Sequence, residues 1–376
     1  MKKTIALVFG GRSAEHAVSI RSARSLLQAI DKNLFQPLCI GISQEGFWYH
    51  LDEQDLKSCD LLLDAQLPAS AQPVALIPQR TLLYLKTNQS QKIDGAFPIV
   101  HGTFGEDGTL QGLFKSVDLP FVGCDVLASA IGMDKDFMKQ ILSSAKIQNS
   151  PGLVLRKEDL YKTADWKTAA NELDLKKIDS VYEKLANQLG LPFFIKPANA
   201  GSSVGVHKIK SAEDFTVKIQ DSFLFDHKVL AEKFIRGREL ECSVLGLGTH
   251  IEASLPGEVI PQHDFYSYEA KYLDDKGALL KIPAELSQQQ TEKLQQVAIA
   301  TYKALGCQGF TRVDFFMTAD DQVYVNEVNT LPGFTSISMY PKMWEASGLP
   351  YNSLITKLID LAFVKYDLDK NIKIVY

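Results

Sequence analysis

Apolar residues in the first third of the chain fall alternately into short runs and helical repeats. Ile5–Phe9 has the pattern of a buried strand that ends at Gly10 and Gly11, and a helical repeat follows over Ser13–Ile30. Three further strand patterns lie at Pro37–Ile42, Asp94–Val100 and Pro120–Val122. Strands that alternate with helices favour a mainly parallel sheet and predict an N-terminal α/β lobe. Ser43–Gln91 is polar, and we expect an irregular insertion there with one strand near Thr81–Lys86.

In the rest of the chain, the apolar pattern predicts strands that fold back on one another, with helices between them. A helix over Met133–Ala145 leads out of the first lobe, and Ser287–Leu305 has the clearest helical period. The expected strands are Leu153–Leu155, Phe193–Lys196, Val206–Ile209, Val229–Phe234 and Glu239–Leu247, with a helix over Ser180–Leu189. The length of 376 residues favours two or three lobes.

Composition excludes several classes of protein. The 376 residues are 45% apolar and 23% charged, as in a globular protein with large cores, and the net charge of −5 gives no basic surface for nucleic acid. The five cysteines are scattered without zinc spacing, which fits a reducing compartment. The apolar run at the start is too short for a signal peptide, and no run reaches membrane-spanning length. We therefore expect a cytoplasmic protein without nucleic-acid or membrane partners.

The strongest chemical pattern is RVDFFMTADDQVYVNEVNTLPG, which reads as two strands around a polar turn. A two-residue turn at Asp320 and Asp321 sets Asp314 opposite Glu327 and Arg312 opposite Asn329. Residues two apart share a face, so all four side chains lie together. Their oxygens suit Mg²⁺, and the arginine suits developing negative charge. A solvated hairpin with an ion pair fits the same spacing, although the apolar residues between the polar ones favour a half-buried sheet.

Four weaker patterns lie elsewhere, and each has a plainer structural reading. FFIKPANAGSSVGV sets Lys196 before a glycine-serine loop suited to phosphates, or a plain hairpin. AEKFIRGRELE offers a backbone edge for a purine and a carboxylate for ribose, or a surface hairpin. Glu15 and His101 follow strands at the crevice end of a parallel sheet, where ligands bind, or have structural roles. The loop HDFYSYEAKYLDDKG, with three tyrosines among charges, indicates a lid or a surface loop.

Together these patterns resemble the ATP-grasp superfamily and, within it, the D-alanine–D-alanine ligases. The resemblance covers essentially the whole chain through the ordered motifs GGRSAEHAVS, HGTFGEDGTLQG, KPANAGSSVG, YEAKY, RVDFF and NEVNTLPGFT. It implies three units: an N-terminal α/β lobe over residues 1–132, followed by an ATP-grasp fold of two α+β subdomains over residues 133–228 and 229–376, whose antiparallel sheets clamp ATP. It also implies a homodimer whose substrates are D-alanine and ATP, with two Mg²⁺ that Mn²⁺ can replace.

The resemblance assigns a role to each matching position. The residues implied to contact ATP are Lys135, Lys196, Ser202, Glu232, Phe234, Ile235, Glu239 at the ribose, Lys271, Phe316 at the adenine, and Glu327. Asp314, Glu327 and Asn329 are implied to hold the metal ions. The first D-alanine is implied to lie near Glu15 and His101, and the carboxylate of the second near Ser338 and Lys271. Arg312 and the N–H of Gly333 are implied to stabilise the oxyanion, while Ser202 and Tyr272 hydrogen-bond to Glu15.

The sequence leaves alternatives open on two questions: which second substrate the chain uses, and whether it is a catalyst. Ligases of this family that make the D-lactate ester tend to lack a tyrosine at the position of Tyr272, so its presence predicts the dipeptide. Other candidates are ligases for D-lactate or D-serine, a non-catalytic nucleotide-binding module, and biotin-dependent or aminoacyl relatives. Retention of Arg312 and both carboxylates favours catalysis. The glycine loop departs from the family by lacking charged residues before the glycine, and Ser43–Gln91 is unusually long.

Overall fold

The first lobe is a seven-stranded sheet with helices packed on it. The computed structural model describes residues 2–58, 68–162, 173–261, 278–335 and 337–373. The elements of this lobe are β1 (Lys3–Gly10), α1 (His16–Ala29), β2 (Phe35–Ile42), β3 (Trp48–Leu51), α2 (Glu53–Ser58), β4 (Gln72–Ile77), β5 (Thr81–Tyr84), β6 (Gln89–Lys92), β7 (Gly95–Pro98), α3 (Thr109–Ser116) and α4 (Val126–Met133). The strand order is β6-β5-β4-β3-β2-β1-β7.

The parallel part of this sheet is smaller than predicted. Strand β1 pairs in parallel with β2 and β7, while β3 to β6 continue the sheet as an antiparallel meander. The expectation of an irregular segment over Ser43–Gln91 is therefore wrong, although the one strand predicted within it, near Thr81–Lys86, is confirmed as β5. Strands β4 to β6 are partly exposed on both faces, so their side chains do not alternate between apolar and polar. The predicted strand Pro120–Val122 is reduced to one parallel bridge between Ala96 and Phe121.

The middle of the chain forms a four-stranded sheet that shares a core with the helices Leu175–Leu189 and Ala212–Phe225. Its elements are α5 (Lys135–Ser144), β8 (Gly152–Arg156), α6 (Lys157–Leu160), α7 (Leu175–Leu189), β9 (Phe193–Pro197), β10 (His207–Ile209), α8 (Ala212–Phe225) and β11 (Lys228–Lys233). The strand order β10-β9-β11-β8 is antiparallel throughout. Asp134 accepts hydrogen bonds from the amides of Asp136 and Phe137 and so starts α5 at Lys135.

The last part of the chain forms a second antiparallel sheet. Its elements are β12 (Arg238–Leu247), β13 (His250–Ala253), β14 (Gly257–Pro261), β15 (Ala278–Lys281), α9 (Gln288–Ala304), β16 (Gly309–Met317), β17 (Val323–Asn329), α10 (Met339–Ala346) and α11 (Tyr351–Lys370). The strand order is β15-β14-β12-β16-β17, and β13 also pairs with β12. Helix α9 begins with a capping box between Ser287 and Gln290, as its sequence suggests.

These sheets confirm the predicted α/β lobe followed by two subdomains with antiparallel sheets. Apolar side chains on one face of β12, β16 and β17 pack against α9 and α5 in a single core. The opposite face of β16 and β17 carries the polar residues, and side chains alternate between the two faces except at Asn326 and Glu327, which are neighbours in β17 and both lie outside the core. The unit boundaries after residues 132 and 228 stay a prediction. Within the described ranges, no helix combines the length and apolar character needed to cross a bilayer.

Candidate active site

The hairpin of β16 and β17 brings the predicted polar residues together. Arg312 pairs with Asn329, and Asp314 pairs with Glu327, as the sequence predicted. The predicted turn is nevertheless wrong. Thr318 and Gln322 close a loop of three residues, in which Asp321 has a φ of 59°. The loop is therefore one residue longer than predicted. A bulge between Asp314 and Phe315 leaves Asn326 without a partner strand residue and compensates for that extra loop residue, so the predicted register at the site is kept.

A cluster of carboxylates fixes the guanidinium of Arg312. Its Nε and Nη2 donate to Oδ1 and Oδ2 of Asp314, both at 2.7 Å, and Nε lies 3.0 Å from Oε2 of Glu241 on β12. Burial would lower the pKa of Arg312, but these two carboxylates outweigh it and hold the pKa well above its usual value. The arginine is therefore a permanent, oriented cation. Glu241 was not among the predicted residues, although it shares a strand face with Glu239.

The oxygen atoms beside Arg312 fit the donor set that Mg²⁺ prefers. Asp314 is buried, Glu327 is partly exposed, and the Oδ1 atom of Asn329 accepts a hydrogen bond from the amide of Leu331 at 3.0 Å. Each carboxylate oxygen of Asp314 keeps a further lone pair after binding Arg312. In the ranges that the structure describes, no three His, Cys, Asp or Glu side chains form a ready-made metal centre. Two carboxylates and an amide match a magnesium ion whose shell is completed by phosphate and water.

The facing sheet contributes a buried row of charges. The carboxylate of Glu232 on β11 lies 2.8 Å from Nζ of Lys196 on β9 and 2.8 Å from Nζ of Lys139 on α5. Burial alone would raise the pKa of Glu232, but the two ammonium groups hold it below its usual value. Burial lowers the pKa of Lys139 to about 8 despite its carboxylate partner. Lys139 was not among the predicted residues, although it lies one turn after Lys135 on the same helix face.

Replacing Lys139 by Met is expected to raise KM for ATP by about 10-fold, because Glu232 loses one of the two ammonium groups that pair with its carboxylate and orient it. The turnover number should change little, since Lys139 contacts none of the residues around Arg312 that the structure describes. Steady-state rates at varied ATP measure both quantities. Lys146→Met, which removes an exposed lysine just after the same helix, is the control. An unchanged KM would show that Lys139 does not orient Glu232.

The same substitution is expected to change how stability depends on pH. The pKa of Lys139 falls from 10.5 to about 8 on folding, so between these values the unfolded chain binds more protons than the folded one. The Lys139 contribution to the free energy of unfolding therefore rises with pH across that window. Urea unfolding at pH values below and above 8 should show this rise as a difference between the wild type and Lys139→Met. Equal slopes would contradict the depressed pKa.

Cations connect the two sheets. Nζ of Lys196 donates to Oδ1 of Asn326 at 3.1 Å, which joins β9 to the bulge in β17. Nζ of Lys135 donates to the carbonyl oxygen of Ala200 at 2.7 Å and lies 3.6 Å from Oε2 of Glu327. Lys135 and Lys196 thus meet the oxygens of the hairpin where the two sheets face each other. A polyphosphate suits this arrangement because the lysines supply positive charge and the carboxylates supply metal ligands.

The residues predicted to hold the nucleoside lie on the same two sheets or directly after a strand of one of them. Phe316 shares a strand face with Arg312 and Asp314, and it pairs with Glu239 across β16 and β12. The ring of Phe234 is 38% exposed and lies 5.8 Å from that of Phe194, centroid to centroid. Ile235 is partly exposed beside it, between β11 and β12. Aromatic faces next to an open backbone segment are suited to a flat heterocycle.

The glycine-serine loop contacts the first lobe. The hydroxyl of Ser202 donates to Oε1 of Glu15, which is the residue that precedes α1. Ser202 and Ser203 have φ values of 53° and 60°, a left-handed conformation that serine rarely adopts. Two strained residues in sequence persist only where surrounding contacts hold them. The contact with Glu15 therefore helps to hold this loop over the space between the sheets.

The segment after β17 carries the predicted oxyanion donor. A side chain at Gly333 would place its Cβ only 2.8 Å from Oγ of Ser338, so glycine allows these two residues to lie in contact. Ser338 Oγ accepts from the amide of Thr335 at 3.0 Å. His101 lies in the first lobe beneath this segment, fully buried. Lys271 and Tyr272 fall outside the residues that the structure describes.

His101 uses both ring nitrogens within the protein. Nδ1 lies 3.1 Å from the carbonyl oxygen of Leu331 and 3.4 Å from Oε1 of Glu106, and Nε2 lies 3.1 Å from Oγ of Ser22. Burial would lower the pKa of His101, but Glu106 and Glu15 raise it above its usual value. Both ring nitrogens therefore have partners within the protein, and a position of His101 close to the first substrate stays a prediction.

Comparison with known proteins gives matches over nearly the whole chain. Residues 4–124 match the family described as D-ala D-ala ligase N-terminus, and residues 155–360 match D-ala D-ala ligase C-terminus. The D-alanine–D-alanine ligase of Shouchella clausii is 49% identical over 99% of this chain and 98% of its own. Ligase A of Escherichia coli K12 is 43% identical over 99% of both chains.

Solved structures match the fold over nearly the whole chain. The D-alanine-D-alanine ligase from Coxiella burnetii is 35% identical with a TM-score of 0.83, covering 98% of this chain and 96% of that one. The VanG D-Ala:D-Ser ligase from Enterococcus faecalis is 33% identical with a TM-score of 0.82, covering 96% of this chain and 100% of that one. The conserved architecture and the full-length sequence identity agree, and the chain is a ligase that belongs to the D-alanine–D-alanine ligase family.

Proposed function

We propose that the chain joins two D-alanines to D-alanyl-D-alanine with ATP, through a D-alanyl phosphate, and releases ADP and phosphate for peptidoglycan precursor synthesis. The observation that carries this proposal is the meeting of two sheets around one space. One sheet supplies Lys196 and Glu232, and the other supplies Arg312 locked against Asp314 opposite Glu327. Phosphate anchors, oxygen ligands and a fixed cation are together what phosphorylation of a carboxylate needs.

ATP is proposed to lie between the sheets with its phosphates toward the hairpin. Lys135 and Lys196 neutralise phosphate oxygens, Phe316 packs on the adenine, and the backbone at Phe234 and Ile235 reads its edge. Glu239 binds the ribose. Asp314, Glu327 and Asn329 are the proposed ligands of two Mg²⁺, which reduce the repulsion between an anionic nucleophile and the triphosphate.

The two D-alanines are proposed to bind on either side of Arg312. Glu15 binds the ammonium of the first, and its carboxylate attacks the γ-phosphate of ATP, which leaves ADP and an acylphosphate. The amine of the second attacks the acyl carbon, and phosphate leaves. Arg312 and the N–H of Gly333 stabilise the charge that develops on the acyl oxygen. Ser338 and Lys271 bind the carboxylate of the second D-alanine.

Exclusion of water is essential because the acylphosphate hydrolyses readily. The contact between Ser202 and Glu15 holds the glycine-serine loop against the first substrate site. We propose that Tyr272 joins the same contact from the lid, so that both loops close together over the reacting groups. A homodimer and a cytoplasmic location complete the proposal.

The proposal is tested by phosphate release from ATP and Mg²⁺ with D-alanine as the only amino acid, with the product identified by mass. We expect release that depends on D-alanine and a product at the mass of the dipeptide. Parallel reactions with added D-lactate or D-serine measure competition for the second site. Absence of D-alanine-dependent release, or release only with a second compound, would contradict the proposed reaction.

A ligase for D-serine is the second candidate, because the VanG relative of similar fold is named as a D-Ala:D-Ser ligase. Tyr272 bears on this choice and on the D-lactate ester. Replacing Tyr272 by Phe is expected to raise the ratio of ester to dipeptide when D-alanine and D-lactate compete, because the lid loses the hydroxyl proposed to join Glu15. Tyr268→Phe in the same loop is the matched control. An unchanged product ratio would show that Tyr272 does not select the nucleophile.

A further inference from the structure

The segment around Gly333 is held on both sides by buried anchors. Leu331 and Phe334 are 1% and 0% exposed. The ring of Phe334 packs edge-on against Phe97 and Phe310, with centroids 5.6 Å apart in both pairs. Phe97 belongs to the first lobe and Phe310 to β16, so this segment is packed at the junction between the two. The position of the Gly333 amide therefore depends on both parts of the molecule.

Two hydrogen bonds attach this segment to the first lobe, one on each side of Gly333. The carbonyl oxygen of Leu331 lies 3.1 Å from Nδ1 of His101, and the amide of Phe334 donates to Oγ of Ser22 at 3.3 Å. Ser22 and His101 contact each other at 3.1 Å, between Oγ and Nε2. The Leu331 carbonyl, His101, Ser22 and the Phe334 amide are thus linked by three hydrogen bonds that hold the backbone on both sides of Gly333.

The direction of these hydrogen bonds follows from the donors and acceptors present. A carbonyl oxygen only accepts, so Nδ1 of His101 carries a hydrogen toward Leu331. Glu106 accepts at the same nitrogen and supports this tautomer. Oγ of Ser22 accepts the amide hydrogen of Phe334 and, with the imidazole neutral, donates its own hydrogen to Nε2. All the groups that these three hydrogen bonds join are buried, so loss of one of them leaves another without a partner.

Ser22 also lies on the helix that begins at the first substrate site. Glu15 precedes α1, and Ser22 follows seven residues later, two turns along the helix. A shift of α1 on binding at Glu15 therefore moves Ser22 as well. The amide of Phe334 is the neighbour of the proposed oxyanion donor in sequence, so such a shift reaches Gly333 through one hydrogen bond.

We propose that Ser22 is a positioning residue for the oxyanion site: together with His101 it fixes the Gly333 peptide from the first lobe. His101 then acts through this segment and not by touching the first D-alanine. The inference rests on the proposed function, because it assigns Gly333 the role given there. It couples the lobe that binds the first substrate to the group that stabilises attack by the second.

Ser22→Ala tests the inference by separating the two chemical steps. Loss of the hydroxyl frees the Phe334 amide and lets the Gly333 donor shift, and misplacement of a reacting group by about 1 Å costs up to about 100-fold in rate. We expect kcat for dipeptide formation to fall by about 10- to 100-fold, with KM for ATP changed less than about 3-fold. Phosphoryl transfer to the first D-alanine should continue. Exchange of oxygen-18 between the β,γ-bridge and β-nonbridge positions of ATP reports that step.

Ser19→Ala is the matched control. Ser19 is a buried serine one turn earlier on α1, and its hydroxyl accepts from the amide of Gly10 and donates to the carbonyl oxygen of Ile99. It has no contact with Leu331 or Phe334, so its loss should lower stability with little change in kcat. If Ser22→Ala does not fold, Ser22→Cys, which keeps the size of the side chain and a weaker hydrogen-bonding group, carries the same expectation.

The outcomes separate the inference from the proposed function. An unchanged kcat in the Ser22 variant, an equal fall in kcat and isotope exchange, or the same kinetic defect in Ser19→Ala would each overturn the positioning role. A wild-type protein without D-alanine-dependent phosphate release would instead contradict the proposed function itself.

Discussion

Replacing Arg312 by Ala is expected to lower kcat for dipeptide formation by about 1000-fold or more while leaving the affinity for ATP within about 3-fold. The guanidinium is the one group of the hairpin that both carries a permanent positive charge and lies locked in place, by two 2.7 Å contacts to Asp314. A fixed cation stabilises a developing oxyanion without reorganisation during the reaction. Turnover by coupled assay and nucleotide binding by calorimetry measure the two quantities.

The Ala substitution has a second consequence for Glu241 and Asp314. Removing one partner of a buried charge pair costs about 3–5 kcal/mol, because the remaining carboxylates stay buried without their cation. Stability must therefore be measured beside activity. Arg312→Lys keeps the charge and loses the planar fork, so it should fold well and still lose about 100-fold or more in kcat. Near wild-type turnover in a folded Arg312→Lys or Arg312→Ala protein would refute the oxyanion role.

Replacing Glu327 by Gln is expected to lower kcat by about 100-fold or more, because a metal ligand next to the phosphates loses its charge. The concentration of Mg²⁺ that gives half-maximal rate should rise at the same time. Glu327 is partly exposed, so the substitution should leave thermal stability nearly unchanged. Initial rates over a range of Mg²⁺ concentrations at fixed ATP separate a weaker metal site from a general loss of activity.

Asp320→Asn is the matched control for the metal prediction. Asp320 lies in the turn of the same hairpin, is exposed, and accepts a hydrogen bond from Thr318 that asparagine can also accept. It should keep both its rate and its Mg²⁺ dependence. A Glu327→Gln protein with the wild-type Mg²⁺ dependence would remove Glu327 from the proposed ligand set, whatever its rate.

The hairpin of β16 and β17 shows how much of this site the local pattern of polar and apolar residues predicts. Alternation correctly set Asp314 opposite Glu327 and put Val313 and Val328 in the core, whereas Val325, two residues from Glu327, lies in that core because the bulge shifts the alternation of β17. The turn was predicted one residue too short, and the bulge beside Asn326 restored the register. A bulge has no signature in apolar spacing, so the contact of Asn326 with Lys196 was beyond prediction.

Contacts between distant parts of the chain mark the limit of sequence reasoning. His101 and Leu331 are 230 residues apart, and Ser22 and Phe334 are 312 apart, yet each pair is joined by a hydrogen bond. Ser22 has the ordinary appearance of a small residue on the inner face of a helix. Glu241 likewise reads as one more polar residue on a strand. Such roles arise from the packing of sheets and lobes, which periodicity does not specify.

We expect a carboxylate oxygen of D-alanine to attack the γ-phosphate of ATP and to leave with the phosphate. D-Alanine labelled with oxygen-18 in its carboxylate, incubated with ATP and Mg²⁺, tests this most directly through the masses of the released phosphate and nucleotide. The mechanism predicts one labelled oxygen in each phosphate released, with ADP unlabelled. Unlabelled phosphate, or label in AMP released with pyrophosphate, would contradict it.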